Sequence, residues 1–127
     1  MKHYAIYFTL LTLAICGCSK TAHPPAEFCQ RLSTADHIVV TNRFRAFGTV
    51  ISGAEVSSLG KAVATASKKL TGASTFCDWD VDFFAGTNHL AGIRLHDSTI
   101  MVEGVEYSDG TGVVEAFWEK LERDRER

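Results

Sequence analysis

Between Cys77 and Tyr107 charged and apolar residues alternate, and this pattern constrains the fold more than any other stretch. Asp78, Asp80 and Asp82 alternate with Trp79, Val81 and Phe83; Ala91, Ile93 and Leu95 alternate with Gly92, Arg94 and His96. A period of two marks strands with one buried face. A three-residue loop at Gly86-Thr87-Asn88 sets Phe83 opposite Ala91, Val81 opposite Ile93 and Trp79 opposite Leu95 on the apolar side. The polar side then opposes Asp82 to Gly92, Asp80 to Arg94 and Asp78 to His96. A slip of one residue would bury aspartates, so the register is strongly chosen. Taking Asp97-Ser98 as a two-residue turn aligns Leu95 with Ile100 and Ile93 with Val102. The prediction is a three-stranded antiparallel meander, with a bulge at Gly104 before Val105 and Tyr107.

The flanking segments supply one more strand and two helices. His37 to Phe44 is rich in β-branched residues and bounded by polar ones, a strand. Glu27 to Leu32 has the pattern of a helical turn ending near Ser33-Thr34. Ser52-Gly53-Ala54-Glu55 matches a capping box, and Val56, Leu59, Val63, Ala66 and Leu70 form a helical stripe with Gly72 as its stop. Val114, Phe117, Trp118 and Leu121 form a second stripe after the turn at Asp109-Gly110-Thr111-Gly112, with Glu119–Arg123 and Lys120–Asp124 four apart on its outer side. The expected fold is α+β, one antiparallel sheet in the order β-α-β-β-β-α with two helices on one face. The domain runs over residues 27–127 and its charged end, after Leu121, is expected to fray.

The first residues address a different question. Lys2 precedes an uncharged apolar run, Tyr4 to Ile15, too short to span a membrane and placed like a secretory leader. It ends in Ile15-Cys16-Gly17-Cys18-Ser19, which resembles the lipobox of bacterial lipoproteins over residues 1–19 only. The resemblance implies that residues 1–17 are a signal peptide, that Cys18 carries the lipid, and that residues 18–26, with Pro24-Pro25, are a tether. It also implies attachment to a membrane without spanning it, since several acyl chains hold a protein stably. Ser19 in place of Asp after Cys18 implies the outer membrane, on the periplasmic side, rather than the inner membrane.

Removing 17 of the 127 residues leaves 110, room for one domain. The chain's formal charge of −2 becomes −3 without Lys2, which argues against nucleic acid as a partner. Charge is unevenly spread: Ser19 to Cys77 holds seven basic and three acidic residues, Asp78 to Glu115 one basic and eight acidic. One face should therefore be acidic. Cys29 and Cys77 remain for an oxidising compartment, where a disulfide closing a loop of roughly fifty residues would add about 3–4 kcal/mol. Two unpaired thiols, or pairing with another chain, are the alternatives.

No spacing supports catalysis. Asp78-x-Asp80-x-Asp82 opens like a calcium loop, but Phe83 stands where such a loop needs Gly and the residues alternate as a strand. The histidines lack zinc-ligand spacing, there is no nucleophile elbow, and Asp109 or Thr111 capping accounts for Gly110-Thr111-Gly112. The expectation is a protein that is not an enzyme and needs no cofactor or metal. It is a lipid-anchored binding module, of inhibitor, immunity or accessory-subunit type. Asp78, Asp80, Asp82 and Glu103 would meet a basic envelope or periplasmic protein. The plainer reading of the same aspartates is a solvated face paired with Arg94 and His96. A small envelope enzyme or ligand carrier is the alternative function.

Overall fold

The structure, a computed structural model, describes residues 22–70 and 75–126. The lipobox and Cys18 lie outside them, as does Gly72. Within them the chain forms α1 (Ala26–Ser33), β1 (His37–Asn42), β2 (Gly48–Ser52), α2 (Ala54–Thr65), β3 (Ser67–Lys68), β4 (Trp79–Ala85), β5 (Asn88–His96), β6 (Thr99–Val102), β7 (Val105–Ser108) and α3 (Val113–Glu126). The strands make one sheet in the order β2-β1-β4-β5-β6-β7-β3, with every pairing antiparallel. The α+β class stands, with three helices among the described residues where two were expected.

The meander has the predicted register: Trp79 faces Leu95, Val81 faces Ile93, Phe83 faces Ala91, Asp80 faces Arg94 and Leu95 faces Ile100. The loop at residues 86–88 resolves into a two-residue turn plus a bulge between Phe83 and Phe84, which together absorb the expected third loop residue. Ile38, Val40, Trp79, Val81, Phe83, Ile93, Leu95, Ile100 and Val102 are buried on one face. Phe28 and Leu32 of α1, Val56, Leu59 and Val63 of α2, and Val114, Phe117 and Leu121 of α3 complete the same core. Each large apolar side chain fully buried in this way contributes roughly 1.5–3 kcal/mol.

Six local expectations are corrected. Asn42 ends β1, because its Oδ1 accepts from the Phe44 and Arg45 amides and turns the chain into β2. Ser52 is the last residue of β2 and no capping box forms; Gly53, at φ 85°, opens α2 instead, and Glu55 pairs with Lys120 Nζ at 2.8 Å. α2 stops at Thr65, not near Gly72, because Ser67 and Lys68 pair with β7 as an edge strand. Leu70 is left 87% exposed, outside the stripe assigned to it. Gly104 belongs to a two-residue hairpin, not a bulge: Glu103 (φ 50°) and Gly104 (φ 81°) both lie in the left-handed region and separate β6 from β7. α3 continues through Glu126 because Glu122 and Arg125 turn inward and pair with each other at 2.5 Å, with Glu122 also accepting from Trp79. The tether also joins the body earlier than expected: Pro24 is buried and His23 Nδ1 sits 2.9 Å from the Ala66 carbonyl.

Glu103 is a strained choice for its turn, since a side chain in the left-handed region costs about 1–2 kcal/mol where Asn costs less. Glu103→Asn is expected to raise stability by about 0.5–1 kcal/mol, a rise of a few degrees in Tm. Thermal melting checks it, and a lowered Tm would contradict the turn assignment.

Candidate docking face

All three helices cover one side of the sheet, so the side chains of alternate strand residues on the other side meet solvent. Down β4 this open face carries Asp80 and Asp82, with Asp78 just before the strand. Each carboxylate has a basic neighbour. Asp80 accepts from Arg94 Nε at 3.2 Å and has Arg43 Nε at 3.8 Å on its other oxygen. Asp82 Oδ1 lies 2.8 Å from His89 Nε2, and Asp78 Oδ1 lies 3.2 Å from His96 Nδ1. Glu103, in the β6–β7 turn, reaches Arg31 Nη2 of α1 at 3.8 Å. These pairs are exposed or half-exposed, so each contributes at most about 1 kcal/mol.

Between them the sheet surface dips into a cavity of ≈ 500 Å³ lined by Thr41, Asp80, Asp82, Gly92, Arg94 and Glu103 among others. Gly92 makes the floor. A Cβ there would come within 2.8 Å of Asp82 Oδ1, so the carboxylate lies over the missing side chain and any other residue would push it away. A second cluster borders the face at the β4–β5 turn: His37 stacks on Phe84 at 5.3 Å, and His89 meets the edge of the same ring at 5.2 Å. Asp36 bonds His37 and also accepts from the Gly86 amide at 2.8 Å. Those two hydrogen bonds, that from His37 first, hold the Asp36 carboxyl below the usual aspartate range.

The pairings Asp80–Arg94 and Asp78–His96 follow from strand alternation and are found. His89 and Arg43 were not assigned to the face. The bulge after Phe83 brings His89 opposite Phe84, and Arg43 lies beyond the end of β1 with its amide on the Asp78 carbonyl. A glycine in mid-strand was the available signal for the cavity floor.

Chemically the face offers ion-pair exchange. Among the described residues no group of three or more His, Cys, Asp or Glu is placed to hold a metal ion. At Gly110-Thr111-Gly112 the Asp109 carboxylate caps the start of α3, accepting from Thr111 N at 3.1 Å and Val114 N at 3.0 Å. Cys29 and Cys77 are free thiols, each against a backbone carbonyl, of Pro24 at 3.9 Å and of Thr75 at 3.8 Å. Burial pushes both thiols up, that of Cys77 to about 11 with the charges of Glu106 and Asp78 adding to the effect. No helix among the described residues is long and apolar enough to cross a membrane. No family model, curated protein or solved structure matches this chain.

Proposed function

We propose that this chain is a lipid-anchored, periplasm-facing binding module of a bacterial envelope. In this reading Cys18 carries the lipid and the attachment is to the outer membrane. The open sheet face, through Asp78, Asp80, Asp82 and Glu103, engages a basic surface on an envelope or periplasmic protein. The partner is either a protein that this one inhibits or neutralises, or the main body of a machine to which it is accessory. The observation that carries the reading is the uncovered face itself. A small domain has all its helices on one side, and its other side presents carboxylates held only by weak, exposed pairs around a shallow cavity. A basic partner can exchange those pairs for its own at little cost, which favours rapid, charge-selective association.

Capture tests this directly. The lipidated full-length protein is crosslinked in intact envelopes, purified from membranes beside Asp78→Asn/Asp80→Asn/Asp82→Asn, and its bound proteins are identified by mass spectrometry. The wild type should retain one stoichiometric partner, and the triple variant should lose at least about ten-fold of it with a weaker salt dependence. Unchanged capture by the variant would sink the acidic-face assignment. The cavity's volume lies in the range of small-ligand sites and favours a second reading, a carrier or small envelope enzyme. The absence of any protein partner across salt concentrations would move the weight there.

A further inference from the structure

The pairing register defines which end of the sheet faces the anchor. Asn42, Trp79, Leu95, Ile100, Tyr107 and Lys68 form one row across β1, β4, β5, β6, β7 and β3. Three features lie just beyond that row on the same side. Phe44 follows the end of β1, Phe76 precedes the start of β4, and Ala66 precedes the start of β3. Ala66 is where the tether is pinned, by His23. Four residues lie between Cys18 and His23, so the two are at most about 18 Å apart along extended chain.

Phe44 and Phe76 are each 65% exposed, yet their rings lie 5.3 Å apart, a preformed aromatic pair with no core to join. Beside them stand Arg43, whose nearest carboxylate is 3.8 Å away, and Arg45, whose guanidinium pairs with no carboxylate among the described residues. Of the acidic groups at this end, Asp78 is held by His96, Asp109 by the α3 cap and Glu106 by the Thr75 amide at 2.6 Å, leaving Asp97 exposed. Aromatic rings flanked by cations fit the headgroup layer of a bilayer, where the rings enter the acyl boundary and the cations meet anionic phosphates.

Resting on the lipid-anchor reading above, we propose that Phe44 and Phe76, with Arg43 and Arg45, form a membrane-docking surface that seats the end of the sheet on the anionic bilayer holding the protein's own lipid. The short pinned tether keeps this end within reach of the headgroups. The strands then stand up from the membrane, and the carboxylate face with its Glu103 end is presented sideways and outward to a partner. The lipid fixes the place and the aromatic pair fixes the orientation.

Site-specific photocrosslinking tests it on the full-length lipidated protein in vesicles of phosphatidylethanolamine and phosphatidylglycerol. Benzoylphenylalanine is placed at position 76, or, as a control of equal exposure in mid-β2, at position 50. Phospholipid adducts should be at least ten-fold more abundant at position 76, and several-fold fewer in pure phosphatidylcholine. Equal yields at the two positions, in protein whose mass shows the acyl groups and which floats with the vesicles, overturn the docking surface while the anchor stands. Equal yields at position 76 in the two lipids overturn the part given to the arginines, and adducts to protein instead of lipid overturn the choice of partner. A mass without acyl groups overturns the anchor, and the docking surface with it.

Discussion

Trp79→Ala is expected to cost about 3–5 kcal/mol, the largest loss of any single truncation in the sheet. Trp79 is fully buried at the start of β4, and its indole does two things at once. Its edge-on contact with Phe47, 5.7 Å between centroids, closes the core under the β1–β2 hairpin. Its Nε1 donates to Glu122 Oε1 at 3.0 Å, tying the last turns of α3 to the sheet. Alanine would leave a cavity and strip Glu122 of its hydrogen bond to the sheet, leaving it its pair with Arg125 at 2.5 Å. A domain of this size has only about 5–15 kcal/mol in all, so the variant should lose a large share of its stability and melt well below the wild type. Trp79→Phe separates the two contributions. It keeps most of the packing and loses the hydrogen bond to a charged acceptor, a loss of about 1.5–3 kcal/mol. Chemical denaturation of both variants is the measurement. No loss in Trp79→Phe would mean that the indole N–H carries nothing, and the inward turn of Glu122 would then need another cause.

What could be foreseen here and what could not divides along a physical line. The meander register was legible because aspartates at alternate positions forbid any other pairing once one face is buried. β2 was not, because Gly48 to Ser52 is an edge strand with one face only partly buried, through Ile51, and the adjacent Val50 and Ile51 hide any alternation, while Ser52 and Glu55 imitate a cap. The end of α2 was hidden for a related reason: Ala66 and Leu70 continue a helical stripe, but the free edge of β7 recruits Ser67 and Lys68, and tertiary pairing overrides a local preference of a few tenths of a kcal/mol per residue. The β6–β7 turn was disguised by Glu103, which stands where Asn or Asp would announce a tight hairpin. At the candidate face the four carboxylates could be named from alternation and charge bias. Their partners His89, Arg43 and Arg31 could not, since those depend on a bulge, a turn and a helix brought in from elsewhere in the chain.

Asp109→Ala is the second large effect, expected at about 2–3 kcal/mol although no apolar packing is lost. Asp109 is only 4% exposed, between the end of β7 and the start of α3. Its carboxylate accepts from the Thr111 amide at 3.1 Å, the Thr111 hydroxyl at 2.7 Å and the Val114 amide at 3.0 Å, while its own amide donates to Ser98 O at 2.9 Å. A helix cap alone is worth about 0.5–2 kcal/mol. Here the loss is larger because the Val114 bond is buried, so its N–H would be left without water, at a cost of about 1–3 kcal/mol. For a domain of roughly a hundred residues that corresponds to a fall of about 8–20 °C in Tm. Asp109→Asn keeps one acceptor oxygen for the amides and should recover more than half of the loss, whereas Asp109→Leu, similar in volume but without an acceptor, should recover none. Calorimetric melting of the three variants decides the matter. Should alanine and asparagine be equally mild, the carboxylate is not what starts α3, and the left-handed Gly112, at φ 86°, would have to set the turn unaided.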